Sequence, residues 1–384
     1  MTWRHSRSGV ALAASGALLA SMALAVAPVG AQSPSAGALP ACDATQIGPL
    51  TRCENFYTDF WPIIDQNLDA LHQEALATAG GQVILWGWFE TDPATIEAFT
   101  TRFPGLTIKT QGLQYNLGPS VLAAQATGAE TTDILGGTWT TGRAVYDQGF
   151  HKQIDWSTYG VPPEFQPPDS PWFPRSMNGW LISYNTTKVD SVPTKLTDYL
   201  DPKWKGEIAM DPTFASFFAP YGLNHGEDAM VKLMHDLRDS GNLILTKDPF
   251  ALLGTGDVSV VFDAQNFSTN PDIAVAAFED SGIWTDFAGV NKYGANQAGG
   301  ALWDLWNAFD PDWLAMRTTD DRFATSWVPY PGLPDSTFAG MSDLKKMNLA
   351  AWLEELEKGW AVFETADNGD AIMAMEDAAR AAFE

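Results

Sequence analysis

The chain of 384 residues is long enough for two medium-sized domains, and its 45% hydrophobic and 18% charged residues are ordinary for a globular protein. The formal net charge of -25 argues against nucleic acid or an anionic membrane as a partner, because both are polyanions. The 16 tryptophans exceed the usual share, so some are candidates to stack on a ligand while most are expected to fill the core.

The first residues predict a secretory signal peptide. Arg4 and Arg7 form a basic start, an apolar run extends to Val26, and residues 29–31 offer small side chains for cleavage. We therefore expect residues 1–31 to be removed and the chain to be exported to the periplasm or the cell surface. No later stretch is apolar for long enough to predict a membrane span.

Two cysteines, Cys42 and Cys53, lie close together in the sequence. In an exported chain such a pair is expected to form a disulfide, which would staple an N-terminal extension outside the core. Residues 39–42 loosely resemble a lipid-attachment box, so lipidation of Cys42 is the alternative, disfavoured by its distance from the apolar run. A zinc site would need more ligands than these two sulfurs supply.

A strand–helix–strand unit opens the folded part of the chain. Residues 60–79 predict a helix, and the apolar run Val83–Leu85 then predicts a strand buried on both faces. Asp92-Pro93 marks a helix start, and residues 106–109 predict a second strand. Two strands joined by a helix imply a parallel pair, whose carboxyl ends are the usual place for a ligand.

The alternation of strand and helix continues along the chain and predicts an α/β fold. Residues 160–174 are rich in proline and predict an extended surface segment, whereas residues 282–334 give no clear layout. Further helices are predicted at 117–127, 228–239, 343–358 and 370–383, and further strands at 132–135, 179–185, 207–210, 258–262 and 273–278.

Candidate ligand-binding residues lie where predicted strands end and helices begin. Free N–H groups at helix starts can bind polar groups, while the carboxylates favour a cation or a hydroxyl-rich solute. Each aspartate is equally well explained as a helix cap. The candidates are Trp86, Trp88, Glu90, Gly137, Thr138, Trp139, Asp211, Thr213, Asp263, Gln265 and Asn266.

The order of three stretches is similar to that in one protein family, where the corresponding segment leads from the first lobe into the second. These stretches are Tyr184–Val189, Leu196–Leu200 and Asp201–Asp211. With the opening strand–helix–strand unit and Gly256–Val261, the chain resembles the extracellular solute-binding proteins of bacterial ABC importers. That broad group includes iron, polyamine and sugar binders. The resemblance covers residues 82–279 well and the C-terminal hundred residues poorly.

The resemblance implies a two-lobed α/β fold of the periplasmic-binding-protein type, similar to type II. Each lobe would be a mixed sheet flanked by helices, with a ligand cleft between the lobes. The expected division is 1–31 signal peptide, 32–80 N-terminal extension with the disulfide, 81–190 first part of lobe 1, 191–270 lobe 2, and 271–384 return to lobe 1 with C-terminal helices.

The resemblance also implies a function, namely capture of a small solute and its delivery to a membrane permease by a monomer that needs no cofactor or metal. A sugar or a polyamine-like cation is favoured. Ferric iron is disfavoured because the family's ferric binders use adjacent tyrosines, whereas Phe262–Phe267 contains none. A ferric or oxyanion ligand, a ligand-sensing subunit and a secreted glycoside hydrolase remain alternatives, and no catalytic residue is assigned.

Overall fold

The computed structural model of the protein describes residues 39–47, 50–87, 92–112, 117–138, 145–167, 170–262, 270–319, 343–360, 362–363 and 368–383. In chain order the strands are β1 (Ala44–Ile47), β2 (Leu50–Cys53), β3 (Gln82–Gly87), β4 (Thr107–Gly112), β5 (Phe173–Gly179), β6 (Ile182–Asn185), β7 (Ile208–Met210), β8 (Leu243–Leu245), β9 (Val260–Phe262), β10 (Ile273–Ala276), β11 (Gly282–Ala288) and β12 (Val362–Phe363). The α-helices with defined bounds are α1 (Trp61–Ala77), α2 (Pro93–Arg102), α3 (Leu117–Thr127), α4 (Ala219–His225), α5 (Glu227–Asp239), α6 (Pro249–Thr255), α7 (Gln297–Phe309), α8 (Pro311–Thr319), α9 (Asp343–Lys358) and α10 (Gly369–Phe383).

An antiparallel hairpin of β1 and β2 begins the described chain, and the predicted disulfide closes it. Cys42 and Cys53 are bonded, with their Cα atoms 5.2 Å apart. This bond engages the Cys42 sulfur and so favours the predicted disulfide over lipidation of Cys42. Cys53 is fully buried in a hydrophobic core, so the bridge ties the hairpin to the core, and the expectation of a staple on an outlying extension is wrong.

The first core forms around α1, which lies within the helix predicted at 60–79. Ile64, Leu68 and Leu71 recur at helical spacing and turn one apolar face toward α7. On α7, Trp303 and Trp306 are fully buried against that face. Part of the stretch that the sequence left without a layout is therefore core.

The predicted strand–helix–strand unit is confirmed. Strands β3 and β4 are parallel, and β4 is displaced and longer than the predicted strand at 106–109. Asp92 caps α2 by accepting the N–H of Thr95 at 2.8 Å, with Pro93 at the first helical position. Val83 faces the first core and Ile84 faces a separate apolar cluster, so β3 is buried on both faces as expected.

The strand predicted at 132–135 is wrong, since the structure has only an isolated antiparallel bridge between Ile134 and Val290 there. One backbone bond to β3 remains, from the N–H of Asp133 to the carbonyl oxygen of Ile84 at 2.7 Å, and side chains replace others. The Asp133 carboxylate accepts the N–H of Ile84 at 2.7 Å, and the Thr132 hydroxyl accepts the N–H of Trp86 at 3.1 Å. These bonds satisfy donors of β3 that a neighbouring strand would otherwise take.

The prediction of an extended surface segment at 160–174 is also wrong. Short 3₁₀ turns occupy Trp156–Tyr159 and Pro163–Phe165. Val161 and Phe165 are buried in the first core, since the prolines make tight turns that direct the intervening apolar side chains inward.

A second core surrounds a five-stranded sheet of order β10-β6-β9-β7-β8. Strands β7, β8 and β9 are parallel to one another, whereas β6 runs antiparallel to both of its neighbours. The long strand predicted at 179–185 is divided at Trp180 and Leu181 between the end of β5 and the whole of β6.

Two long antiparallel strands, β5 and β11, connect the cores. Strand β5 begins at Phe173 in the first core and ends just before Trp180, which is in the second. In the opposite direction, the chain leaves the second core at Phe278 and β11 ends at Ala288 in the first. Two cores joined by a pair of crossing strands make the predicted two-lobed α/β fold.

The C-terminal helices predicted at 343–358 and 370–383 are confirmed as α9 and α10. Ala379 and Ala382 of α10 pack into the second core. The predicted domain boundaries, including the return of 271–384 to lobe 1, stay a prediction. Among the helices that the structure describes, none is long and apolar enough to cross a membrane.

Candidate functional site

Asp211 and Thr213, the predicted second-lobe residues that the structure describes, lie at the edge of the sheet that meets the crossing strands. Asp211 directly follows β7, and Lys247 comes shortly after β8, so an ion pair of 3.2 Å between them joins the carboxyl ends of two parallel strands. Ile182, the first residue of β6, pairs with Phe262, the last of β9. The crossing strand β5 therefore reaches the sheet at the edge that carries Asp211.

Asp211 caps the 3₁₀ helix Pro212–Phe218. Its Oδ1 atom accepts the N–H of Thr213 at 2.8 Å and the hydroxyl of the same residue, and it also contacts the Lys247 ammonium. Although burial alone would raise the pKa of the Asp211 carboxyl, the bonds from Thr213 and the charge of Lys247 hold it below its ordinary value. Asp211 is thus an ionised helix cap, and the contacts described for its carboxylate all involve the Oδ1 atom.

Of the predicted first-lobe residues that the structure describes, Gly137 lies against the crossing strands. Gly137 pairs with Phe287 of β11, donating to its carbonyl oxygen at 3.3 Å and accepting its N–H at 2.9 Å. The φ angle of Gly137 is +136°, a region that favours glycine. Thr138, half-buried, follows directly.

A polar centre sits in the middle of the crossing strands. Ser176 of β5 donates its hydroxyl to Asp286 of β11 at 3.0 Å, at the point where the register of the two strands shifts. Arg175 and Asp286 are 6% and 9% exposed, and such buried charges are rare unless they are paired. The guanidinium of Arg175 lies over Gly136 of the first lobe. Sequence analysis did not select Arg175, Ser176 or Asp286, and isolated charges within strand-like stretches are the only signal it could have used.

Aromatic rings adjoin this polar centre. The ring of Trp172 lies 5.5 Å from that of Phe287 and 4.4 Å from that of Tyr146, centroid to centroid. His151 lies edge-on to Trp172 at 5.0 Å, and one of its ring nitrogens is 3.2 Å from the carbonyl oxygen of Leu135. Burial lowers the pKa of His151 to about 4, so the ring is neutral at neutral pH. Flat rings beside buried charges suit non-covalent recognition of a polar solute.

Trp86 does not lie in this group. It is 9% exposed and packs in the apolar cluster of Ile84, Val121 and Leu135, which supports a core role, while its predicted stacking on a ligand stays a prediction. The remaining candidates, Trp88, Glu90, Trp139, Asp263, Gln265 and Asn266, lie outside the described residues.

Metal binding has little support in the described part of the chain. The group of three potential ligands found there is Cys42, Cys53 and Glu164, and its two sulfurs form the disulfide. A disulfide sulfur is not a thiolate, so this group does not make a zinc site.

The structure has two lobes, and polar and aromatic groups lie where the crossing strands meet them. Residues 146–309 match the family model described as bacterial extracellular solute-binding protein. Over these residues the match confirms the predicted resemblance to extracellular solute-binding proteins. None of the proteins with curated functions matches the sequence.

Solved structures with this fold come from proteins of different ligand classes. They include the spermidine/putrescine ABC transporter substrate-binding protein PotD from Streptococcus pneumoniae, with 16% identity, a TM-score of 0.56, and coverage of 78% of this chain and 99% of that one. Iron-bound HitA from Pseudomonas aeruginosa has 14% identity and a TM-score of 0.55, with coverage of 78% and 99%. The ABC substrate-binding protein Lmo0181 from Listeria monocytogenes, in complex with cycloalternan, has 11% identity and a TM-score of 0.59, with coverage of 78% and 94%. At these identities the likeness establishes the fold alone.

Proposed function

We propose that this chain is the exported receptor of an ABC importer, which captures a small polar solute between its lobes and delivers it to a membrane permease. The observation that carries this proposal is the pair of crossing strands, β5 and β11, which connect the two cores and hold Arg175, Ser176 and Asp286 between them. Gly137 from one lobe and Asp211 from the other lie where these strands enter the lobes.

Capture follows from a shift between two conformations. A solute that contacts both lobes at once binds the closed form more tightly than the open form, and it therefore shifts the population toward closure. Strands that cross between lobes are suited to act as the hinge, because a small change in their dihedral angles rotates one whole core against the other. The closed form then docks on the permease.

The favoured solute is a sugar or a polyamine-like cation. The ionised Asp211 and the buried Asp286 supply acceptors that suit hydroxyl or ammonium groups. Trp88 and Trp139 are proposed to stack on the solute, with Asp263, Gln265 and Asn266 adding polar contacts from the second lobe. Ferric iron or an oxyanion stays the alternative ligand.

A secreted glycoside hydrolase is the competing enzyme class. The similar structures are substrate-binding proteins, so the comparisons give it no support. Such an enzyme would need two carboxylates on either side of the glycosidic bond. The distance between them would predict whether the reaction retains or inverts the configuration of the sugar. A sensing subunit would share this fold and differ only in its membrane partner.

Thermal unfolding of the mature protein with maltose, spermidine, ferric citrate or phosphate tests the proposal. A solute that binds the native state raises the melting temperature in a dose-dependent way, and small-angle scattering should show compaction with the same solute. We expect Trp88→Ala and Asp263→Ala to weaken binding at least tenfold, and Glu97→Gln on the exposed face of α2 to leave it unchanged. Hydrolysis of a glycoside without compaction would support the hydrolase and overturn the receptor.

A further inference from the structure

Helix α9 contacts both lobes. Ala351 packs with Leu181 and Val275 beside the second sheet. Elsewhere α9 contacts β1, which belongs to the hairpin that the Cys42–Cys53 disulfide ties to the first core. A helix that contacts both lobes restrains their relative motion. The bonds that attach α9 to the hinge therefore affect how easily the lobes close.

A buried carboxyl makes that attachment. Glu355 of α9 is 0% exposed, and its Oε2 atom accepts the hydroxyl of Ser281 at 2.6 Å. The backbone N–H of Phe278 is a second donor near this carboxyl, close enough to lower its pKa. Both donors belong to the turn 277–281, which connects β10 of the second sheet to the crossing strand β11. The Oε1 atom is buried and has no hydrogen-bond partner among the described residues.

The same turn is fixed to the second lobe on its other side. Asp280 has a φ angle of +60°, unusual for a residue with a side chain. Its carboxylate accepts the side-chain amide of Asn224 at 2.6 Å and contacts Nε2 of His225 at 2.9 Å, both at the end of α4. The turn therefore belongs with the second lobe, and the bonds of Glu355 couple α9 to it.

We propose that Glu355 and Ser281 form a proton-dependent latch, in which the neutral carboxyl holds α9 on the hinge turn and the ionised carboxyl releases it. Release frees the two lobes to move about β5 and β11, so the spread of interlobe distances increases with pH. The proposal rests on the lobe closure proposed above, but it concerns the protein without solute.

The surroundings of Glu355 favour its neutral form. Burying an ionised carboxylate with one oxygen unpartnered is costly, because the lost hydration is not replaced. Burial raises the pKa of Glu355 well above its ordinary value, the bonds from Ser281 and Phe278 oppose this, and the like charge of Glu354 adds to it.

Other charged groups lie near the latch on α9 and on the hinge turn. Lys358, one turn further along α9, pairs with Glu354 and lies over the ring of Trp360. On the hinge turn, Asp280 contacts His225 of α4. Glu279 is half-buried, and its N–H donates to the carbonyl oxygen of Thr194. Strand β12, which pairs with β11, contributes Val362 and Phe363, neither of them charged.

Interlobe distances in the solute-free protein test the latch. Spin labels at Gln125→Cys of α3 and Lys232→Cys of α5, both exposed positions, place one probe on each lobe. We expect a narrow distance distribution at about pH 5 and a broader, shifted one at about pH 9, a window that lies above the ordinary pKa of glutamate, where a carboxyl with a raised pKa titrates. Glu355→Gln keeps the shape and the acceptor but cannot ionise, so its distribution should stay narrow at both pH values.

Two further variants complete the test. Glu354→Gln removes the neighbouring exposed carboxyl and should keep the response, with at most a small change in its midpoint. Ser281→Ala removes a donor and should give the broad distribution at both pH values, which keeps the proposal testable if Glu355→Gln fails to fold. The latch is overturned if the wild type shows no change with pH, if Glu355→Gln responds like the wild type, or if Ser281→Ala does. None of these results depends on finding a solute, so solute capture is judged separately by the thermal and scattering experiments.

Discussion

The guanidinium of Arg175 lies so close to Gly136 that a Cβ atom at position 136 would come within 3.4 Å of Nη2 and within 3.2 Å of the carbonyl oxygen of Phe287. Gly136 of the first lobe is thus close to both crossing strands, to Arg175 of β5 and to Phe287 of β11. We expect Gly136→Ala to displace the arginine or the strand and to lower the free energy of unfolding by about 1–3 kcal/mol, the usual cost of overpacking. Urea denaturation measures the change.

Gly254→Ala is the matched control. Gly254 lies in α6, where the nearest atom to an added Cβ is Nδ2 of Asn270 at 3.9 Å. Alanine is the better helix former, so this variant should be neutral or slightly stabilising. Equal losses in the two variants would show that the contact with Arg175 is not what makes Gly136 necessary.

Trp303 should act as a core residue and not as a wall of the ligand site. Its ring packs 4.9 Å from Phe99 and 5.4 Å from Trp306, and it is fully buried. Trp303→Ala should therefore cost about 3–5 kcal/mol of unfolding free energy in a denaturant titration. Tyr293→Ala, at a side chain that is 44% exposed, should cost far less. A small loss for Trp303 would contradict the core assignment.

The sequence predicts those parts of the fold whose determinants are local. The helical spacing of Ile64, Leu68 and Leu71, and the cap and proline at Asp92 and Pro93, are enough to locate α1 and α2. Short elements with mixed composition are harder to predict from the sequence. At 132–135 the predicted strand is wrong, because the Asp133 side chain accepts a bond that a neighbouring strand would normally accept.

The polar centre could not be predicted from local patterns. Ser176 and Asp286 are 110 residues apart in the chain, and only the pairing of β5 with β11 brings them together. Asp211 and Thr213 were predicted because they end a strand that is visible in the sequence. The isolated charge of Arg175 in a strand-like stretch does not by itself show that the side chain is buried, since its burial depends on Gly136 and β11.

The Cys42–Cys53 bridge should contribute to stability although it closes a loop with a sequence separation of only 11 residues. A bridge of this kind stabilises by about 2–4 kcal/mol, chiefly by restricting the unfolded chain. The double variant Cys42→Ser with Cys53→Ser should melt at a lower temperature than the wild type. Adding a reductant should lower the melting temperature of the wild type but not of the double variant, and an effect on both would indicate that the reductant acts elsewhere.

Glu376 of α10 should make the stability depend on pH. Burial raises the pKa of Glu376 to about 7, Arg380 opposes this and Asp377 adds to it. Because the folded pKa lies above the unfolded value, the unfolded chain ionises first as the pH rises. Stability is therefore full at acid pH and is lost between about pH 4.5 and about pH 7, by up to about 1.4 kcal/mol per pH unit from this group. Glu376→Gln should remove this part of the slope in denaturant titrations, and Glu97→Gln should not.

Asp211 should make the stability depend on pH in the opposite direction, so that its contribution is lost at acid pH. Its folded pKa lies below the ordinary value, so its contribution is present above the unfolded pKa and is lost as the pH falls through the folded one. Asp211→Ala removes the cap on the helix at Pro212–Phe218 and the ion pair with Lys247, and should cost about 0.5–2 kcal/mol at neutral pH. Asp211→Asn keeps an acceptor for the N–H of Thr213 and should cost less.

Denaturant titrations of the wild type and both Asp211 variants at falling pH separate the charge from the cap. The difference between the wild type and Asp211→Asn measures the charge, and it should vanish as the carboxylate is protonated. The difference between Asp211→Asn and Asp211→Ala measures the cap, and it should persist, because the amide oxygen accepts the hydrogen bond at any pH. If the two variants were equally stable at neutral pH, the capping role of Asp211 would be refuted, and its contribution to stability would be that of its charge beside Lys247.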